Sequence, residues 1–99
     1  MNAPLDDALH TVQREYLAGF PVWLEELRTD IAAFRALRPE AAVSLKTRFQ
    51  GLASSGSSFG FPEISVVGRE MERWMATRPA PGEAPKLDDA VERLAVLYR

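Results

Sequence analysis

The chain has no cysteine and a single histidine, His10. Without thiols there is no disulfide frame, no thiolate zinc site and no cysteine nucleophile. A single imidazole excludes chemistry that needs two. Long apolar runs are missing as well; the longest are far too short to cross a bilayer, so no membrane role is expected. No leader-like segment is evident, which together with the missing cysteines makes a reducing cytoplasm the expected location. Positive charge is not in excess: 12 Lys and Arg stand against 14 Asp and Glu, a net charge of −2. That balance argues against a nucleic-acid partner held by a basic surface. The acidic pairs Asp6-Asp7 and Asp88-Asp89 are adjacent in sequence and not spaced to converge, so neither a metal nor a cofactor is expected. The glycines lack the strand-to-helix setting of a phosphate cradle.

What remains is an ordinary globular composition, 46% hydrophobic and 26% charged over 99 residues, which fits one domain spanning 1–99. Apolar residues recur at threes and fours: Leu5, Leu9, Val12 and Tyr16, then Leu17, Phe20, Leu24, Leu27, Ile31 and Phe34. Gly19 and Pro21 interrupt that run and predict a kink or a break into two helices. Pro39, followed by Glu40, suits a helix start. Ala42, Leu45, Phe49, Leu52 and Gly56 form its expected buried stripe, and Gly60 ends it. Pro62 opens a further helix with the stripe Ile64, Val67, Gly68, Met71, Trp74 and Met75. The segment from Arg78 to Pro85 carries three prolines and a glycine and reads as a semi-rigid connector. A last helix presents Leu87, Val91, Leu94 and Tyr98 on one side. No stretch alternates like a strand. The expected fold is all-α, an antiparallel up-and-down four-helix bundle with an additional N-terminal helix or helical extension.

The least ordinary segment is Phe49-Gln50-Gly51-Leu52-Ala53-Ser54-Ser55-Gly56-Ser57-Ser58-Phe59-Gly60. Helix interiors disfavour this many Gly and Ser residues, so something must approach the backbone closely, or the segment is a loop. It resembles the signature of histidine-containing phosphotransfer (HPt) domains, helical bundles that relay phosphoryl groups to and from receiver domains. In one common bacterial form that signature runs His, any residue, Leu, Ala or Lys, Gly, Ser, Gly or Ala, two small residues, Phe or Leu, Gly. Leu52, Ala53, Ser55, Gly56, Ser57, Ser58, Phe59 and Gly60 match in register. Phe61-Pro62-Glu63-Ile64-Ser65 resembles the start of the following helix, and Met71-Glu72 stands where the family usually has a Leu-Glu pair.

Two positions depart from the signature. Gln50 stands at the phosphoacceptor histidine and Ser54 at the glycine one turn later. An imidazole nitrogen offers a lone pair to phosphorus, whereas the glutamine amide nitrogen shares its lone pair with the carbonyl. In this register the chain is expected not to accept phosphate and not to be an enzyme. Ser54, Ser55, Ser57 and Ser58 have no histidine or carboxylate nearby in sequence to act as base, and His10 reads as an ordinary helix residue.

Val43, Lys46, Thr47, Gln50, Ser54 and Ser57 fall on one face of the third helix, away from Leu45, Phe49 and Leu52. In the resembled family this face, with part of the preceding helix, docks on receiver domains. The resemblance therefore implies partner binding through these residues, with Lys46 facing a receiver's acidic pocket and Trp23 as a further contact unless it closes the edge of the core. Arg48 is expected only to keep its helix soluble. The expected partner is a response-regulator receiver domain or a histidine kinase of a bacterial two-component phosphorelay. An authentic relay protein with an engineered Gln50 is the alternative, against which Ser54 weighs, because a single engineered change would leave the glycine in place. An unrelated helical interaction bundle is the other.

Overall fold

The computed structural model describes the backbone of residues 3–98 and the side chains of residues 7–97. Leu5 and Tyr98, assigned above to apolar stripes, therefore lie outside the described side chains. The elements in order are α1 (Ala3–Ala18), α2 (Phe20–Arg35), α3 (Pro39–Ser58), α4 (Pro62–Ala76), a single 3-10 turn (Pro81–Glu83) and α5 (Pro85–Tyr98). There is no strand among the described residues, and no helix is long and apolar enough to cross a membrane.

Each helix starts where its sequence permits. Proline occupies the first turn of α2, α3, α4 and α5 as Pro21, Pro39, Pro62 and Pro85, where a missing N–H costs no intrahelical bond. Glu40, Glu63 and Asp88 place negative charge on the first turns of α3, α4 and α5. The interruption between α1 and α2 is a single residue, Gly19, whose carbonyl still accepts from the Trp23 N–H at 3.1 Å. α3 ends on Gly60, which adopts φ +88°. The Phe61 N–H donates back to the Gly56 carbonyl at 2.7 Å and the Gly60 N–H to the Ser57 carbonyl at 3.1 Å, the paired bonds that close a helix on a left-handed glycine.

Four helices, α2 to α5, pack compactly around one continuous hydrophobic cluster. α2 lies against α3 and α5, and α4 lies against the same two. Phe20, Leu27, Ile31, Leu45, Phe49, Met71, Leu87 and Leu94 are almost completely buried there. The α3–α4 contact is the closest. A Cβ added at Gly68 would stand 2.5 Å from the Ala53 nitrogen, and one at Gly56 would stand 2.7 Å from the Ser65 nitrogen. The small residues of the Gly/Ser segment thus let two helix backbones meet. Ser65 is fully buried in that seam, and its Oγ accepts the Ser57 N–H at 2.6 Å. Nothing in the apolar pattern singled it out.

Several stripes differ from expectation. Ala41, four residues before Leu45, is buried, whereas Ala42 is exposed, because one further residue rotates the side chain by about 100°. Trp74 is only half-buried, with the Lys86 ammonium 5.6 Å from its ring centre. The proline-rich connector contains the 3-10 turn and inserts Ala84 fully into the core. The largest difference is in α1: Tyr16 is buried, but Leu9 and Val12 are 52% and 39% exposed. The molecule measures 54 × 21 × 21 Å, longer than the roughly 30 Å of its longest helix. Gln13, Tyr16 and Leu17, on the last turns of α1, meet the α3–α4 turn and the core, whereas the described side chains before them are all exposed.

Candidate functional site

The six polar-face positions of α3 do share a surface. Val43, Lys46, Thr47, Gln50, Ser54 and Ser57 are all exposed, while Leu45, Phe49, Leu52 and Gly56 fill the opposite side of the helix. Gln50 stands near the middle of this strip, and its amide has no hydrogen-bond partner among the described residues. Lys46, one turn earlier, makes no ion pair among them either. The neighbouring hydroxyls are turned back onto the helix. Ser54 Oγ donates to the Gln50 carbonyl at 3.1 Å, and Ser58 Oγ donates to the Ser54 carbonyl at 3.0 Å. Such back-bonding satisfies a serine within a helix and keeps its oxygen off the outer surface. His10 is exposed on α1, in a depression with Asp7, Arg14 and Phe61.

Beside Gln50, α2 and α3 enclose an open groove of about 250 Å³ lined by Trp23, Leu27, Arg48, Gly51, Leu52 and Ser55. Gly51 supplies its open side: a Cβ placed there would meet nothing within 4 Å. Trp23 forms one wall. It is half-buried and packs edge-on against Tyr16 at 5.0 Å and against Phe20 at 5.3 Å. It therefore closes the edge of the core and lines the groove at once.

Arg48 corrects the expectation of a merely solubilising charge. Its guanidinium bonds Asp30 through Nε at 2.5 Å and Glu26 through Nη1 at 2.5 Å, tying α3 to α2 at the rim of the groove. Ser44 Oγ donates to the same Asp30 carboxylate at 2.7 Å. The bond to Asp30 holds the Arg48 pKa above its usual value, with Glu26 adding to the effect against partial burial. Spacing on a single helix cannot reveal such a pair, because Glu26 and Asp30 belong to another one.

A second site feature missed in the sequence is the aromatic cluster at the end of the groove. Tyr16 stacks on Phe59 at 4.6 Å and on Phe61 at 5.7 Å, and its hydroxyl lies 2.8 Å from Ser55 Oγ. Burial pushes the Tyr16 pKa above 10, partly opposed by the bond to Ser55. No protein-family model matches the chain, and no curated protein or solved structure matches it. The chemistry of the face is thus read from its own atoms: hydrogen-bonding groups, an apolar groove and the Lys46 ammonium, which is unpaired among the described residues. No cluster of three or more metal-ligating side chains occurs among the described residues. On the other side of the core, Val66, Val96 and Leu97 form a separate exposed apolar surface between α4 and α5.

Proposed function

We propose that this chain is a phosphotransfer-incompetent HPt-like docking domain that binds a receiver domain or a histidine kinase in the cytoplasm. In this proposal α2 to α5 form the antiparallel up-and-down bundle of that family, with α1 as the N-terminal extension. The observation that supports the proposal is the exposure of Gln50, the residue aligned with the acceptor of the resembled signature, near the middle of a helix whose other side seats α4 through Gly56 and Ala53. Matching sequence register and close helix packing coincide in the same residues.

The mechanism is occupancy. Gln50 offers a hydrogen-bond donor and an acceptor in roughly the volume of an imidazole, but no lone pair able to attack phosphorus. Lys46 supplies the charge attractive to an acidic receiver pocket, and the groove beneath Trp23 takes an apolar side chain of the partner. A domain of this kind competes with a phosphate-accepting relay protein in proportion to its concentration over its dissociation constant, and needs no turnover. The test is phosphotransfer from active kinases and radiolabelled phosphorylated receivers. The native chain should acquire no acid-labile label, and receiver or kinase domains should be retained on the immobilised protein. Gln50→His together with Ser54→Gly should create an acceptor. Label on the native chain would overturn the inert site, and a folded double variant that binds neither partner nor phosphate would overturn the family assignment.

A further inference from the structure

Among the described side chains of α1, those before Gln13 are all exposed, and the contacts lie toward its C-terminal end. Its first turns expose Leu9 and Val12 to solvent, and its fixed contacts are concentrated in Gln13, Tyr16 and Leu17. Gln13 Nε2 donates to the Phe59 carbonyl at 3.0 Å, which ties α1 to the α3–α4 turn. Tyr16 inserts between that turn and α2, with its ring on Phe59, Phe61 and Trp23 and its hydroxyl on Ser55. Two of these neighbours, Trp23 and Ser55, are also walls of the groove beside Gln50. Trp23 also lies over Gly19, where any Cβ would meet its indole at 3.0 Å, and packs against Phe20 at 5.3 Å.

We propose that α1 is a strap whose seating through Gln13 and Tyr16 sets the shape of the groove. With the strap seated, Tyr16 pins the indole edge of Trp23 and holds the Ser55 hydroxyl away from the groove. With the strap lifted about Gly19, both walls are released together. A partner that favours one groove shape must then favour one position of α1, and a ligand gripping α1 must change affinity at the groove by the same factor. Its importance for regulation rests on the proposed docking role of this face; the mechanical coupling does not, and can be measured with no partner present.

The experiment uses the full chain carrying Trp74→Phe, so that Trp23 is the sole tryptophan and is excited selectively at the red edge, where tyrosine does not absorb. Acrylamide quenching is compared for this parent, Tyr16→Ala, Gln13→Ala and the α1 surface control Leu9→Ser. Loss of the ring contact should raise the Trp23 quenching constant by about twofold, as expected when a half-buried side chain loses its cover locally. Gln13→Ala should move it in the same direction, and Leu9→Ser should leave it at the parent value. Where Tyr16→Ala lowers helix content, Tyr16→Phe decides, since it deletes only the hydroxyl: the amide resonances of Gly51, Leu52 and Ser55 should shift. Parent-like quenching in a helical Tyr16→Ala, or unmoved groove resonances in both Tyr16→Phe and Gln13→Ala, would overturn the strap. Neither result bears on whether the face binds receivers.

Discussion

Gly68→Ala and Gly51→Ala make the same chemical change in two neighbouring helices and should move stability in opposite directions. At Gly68 the new methyl would lie 2.5 Å from the Ala53 nitrogen, 2.7 Å from the Phe49 carbonyl oxygen and 3.0 Å from the Ala53 Cα. All three are backbone atoms, so no side chain can swing aside. Ordinary contact begins at 3.4 Å, so α4 must retreat by up to 3.4 − 2.5 = 0.9 Å. A gap of about 0.5–1 Å already forfeits a quarter to a half of each dispersion contact along the seam. Overpacking of this kind costs about 1–3 kcal/mol, against roughly 1 kcal/mol returned by the better helix propensity of alanine. The retreat also pulls Ser65 from the Ser57 N–H, so the net should lie on the destabilising side, near 2 kcal/mol. At about 4–8 °C per kcal/mol for a domain of this size, Tm should fall by about 8–16 °C. Gly51 has open space at its Cβ, so alanine there should add about 0.5–1 kcal/mol and raise Tm by a few degrees. Thermal melts followed by far-ultraviolet circular dichroism, with urea midpoints as a second measure, read both. A Gly68→Ala protein as stable as the parent, or shifts of the same sign in the two variants, would refute the close-approach account of α3 and α4.

Three further outcomes follow from named contacts. Arg48→Met should cost about 1–2 kcal/mol, because it strips two carboxylates of their common partner at a half-exposed site. A double-mutant cycle with Asp30→Asn in urea titrations should give a coupling near 1 kcal/mol that shrinks in molar salt. Tyr16 links stability to alkaline pH: its folded pKa lies above the unfolded value of 10.0, so the folded state holds its proton after the unfolded state has lost it. The contribution of Tyr16 to stability should be fully present below its unfolded pKa and be lost as pH rises through the folded pKa. Tyr16→Phe should flatten that decline in urea titrations across the same range. Lys46→Glu should weaken binding to a receiver domain about tenfold at low ionic strength, with less effect at high salt, measured by titration calorimetry. A variant that binds equally well at low salt would remove Lys46 from the docking surface.

Local sequence determines a good deal of this molecule. Five proline and glycine punctuation marks, Pro21, Pro39, Gly60, Pro62 and Pro85, bound the helices because each alters a backbone donor or a dihedral angle irrespective of what lies nearby. The outward strip from Val43 to Ser57 was equally legible, since faces of one helix follow from its period. Tertiary structure alone decided the rest. It buried Tyr16 while leaving Leu9 and Val12 on the same stripe uncovered, because coverage depends on where the neighbouring helices end. It also joined Arg48 to Glu26 and Asp30, and brought Trp23 of α2 and Ser55 of α3 to the lining of one groove. Periodicity tells which side chains point together from one helix. Which partner they meet depends on distances between helices far apart in sequence, and these are set only when the core packs.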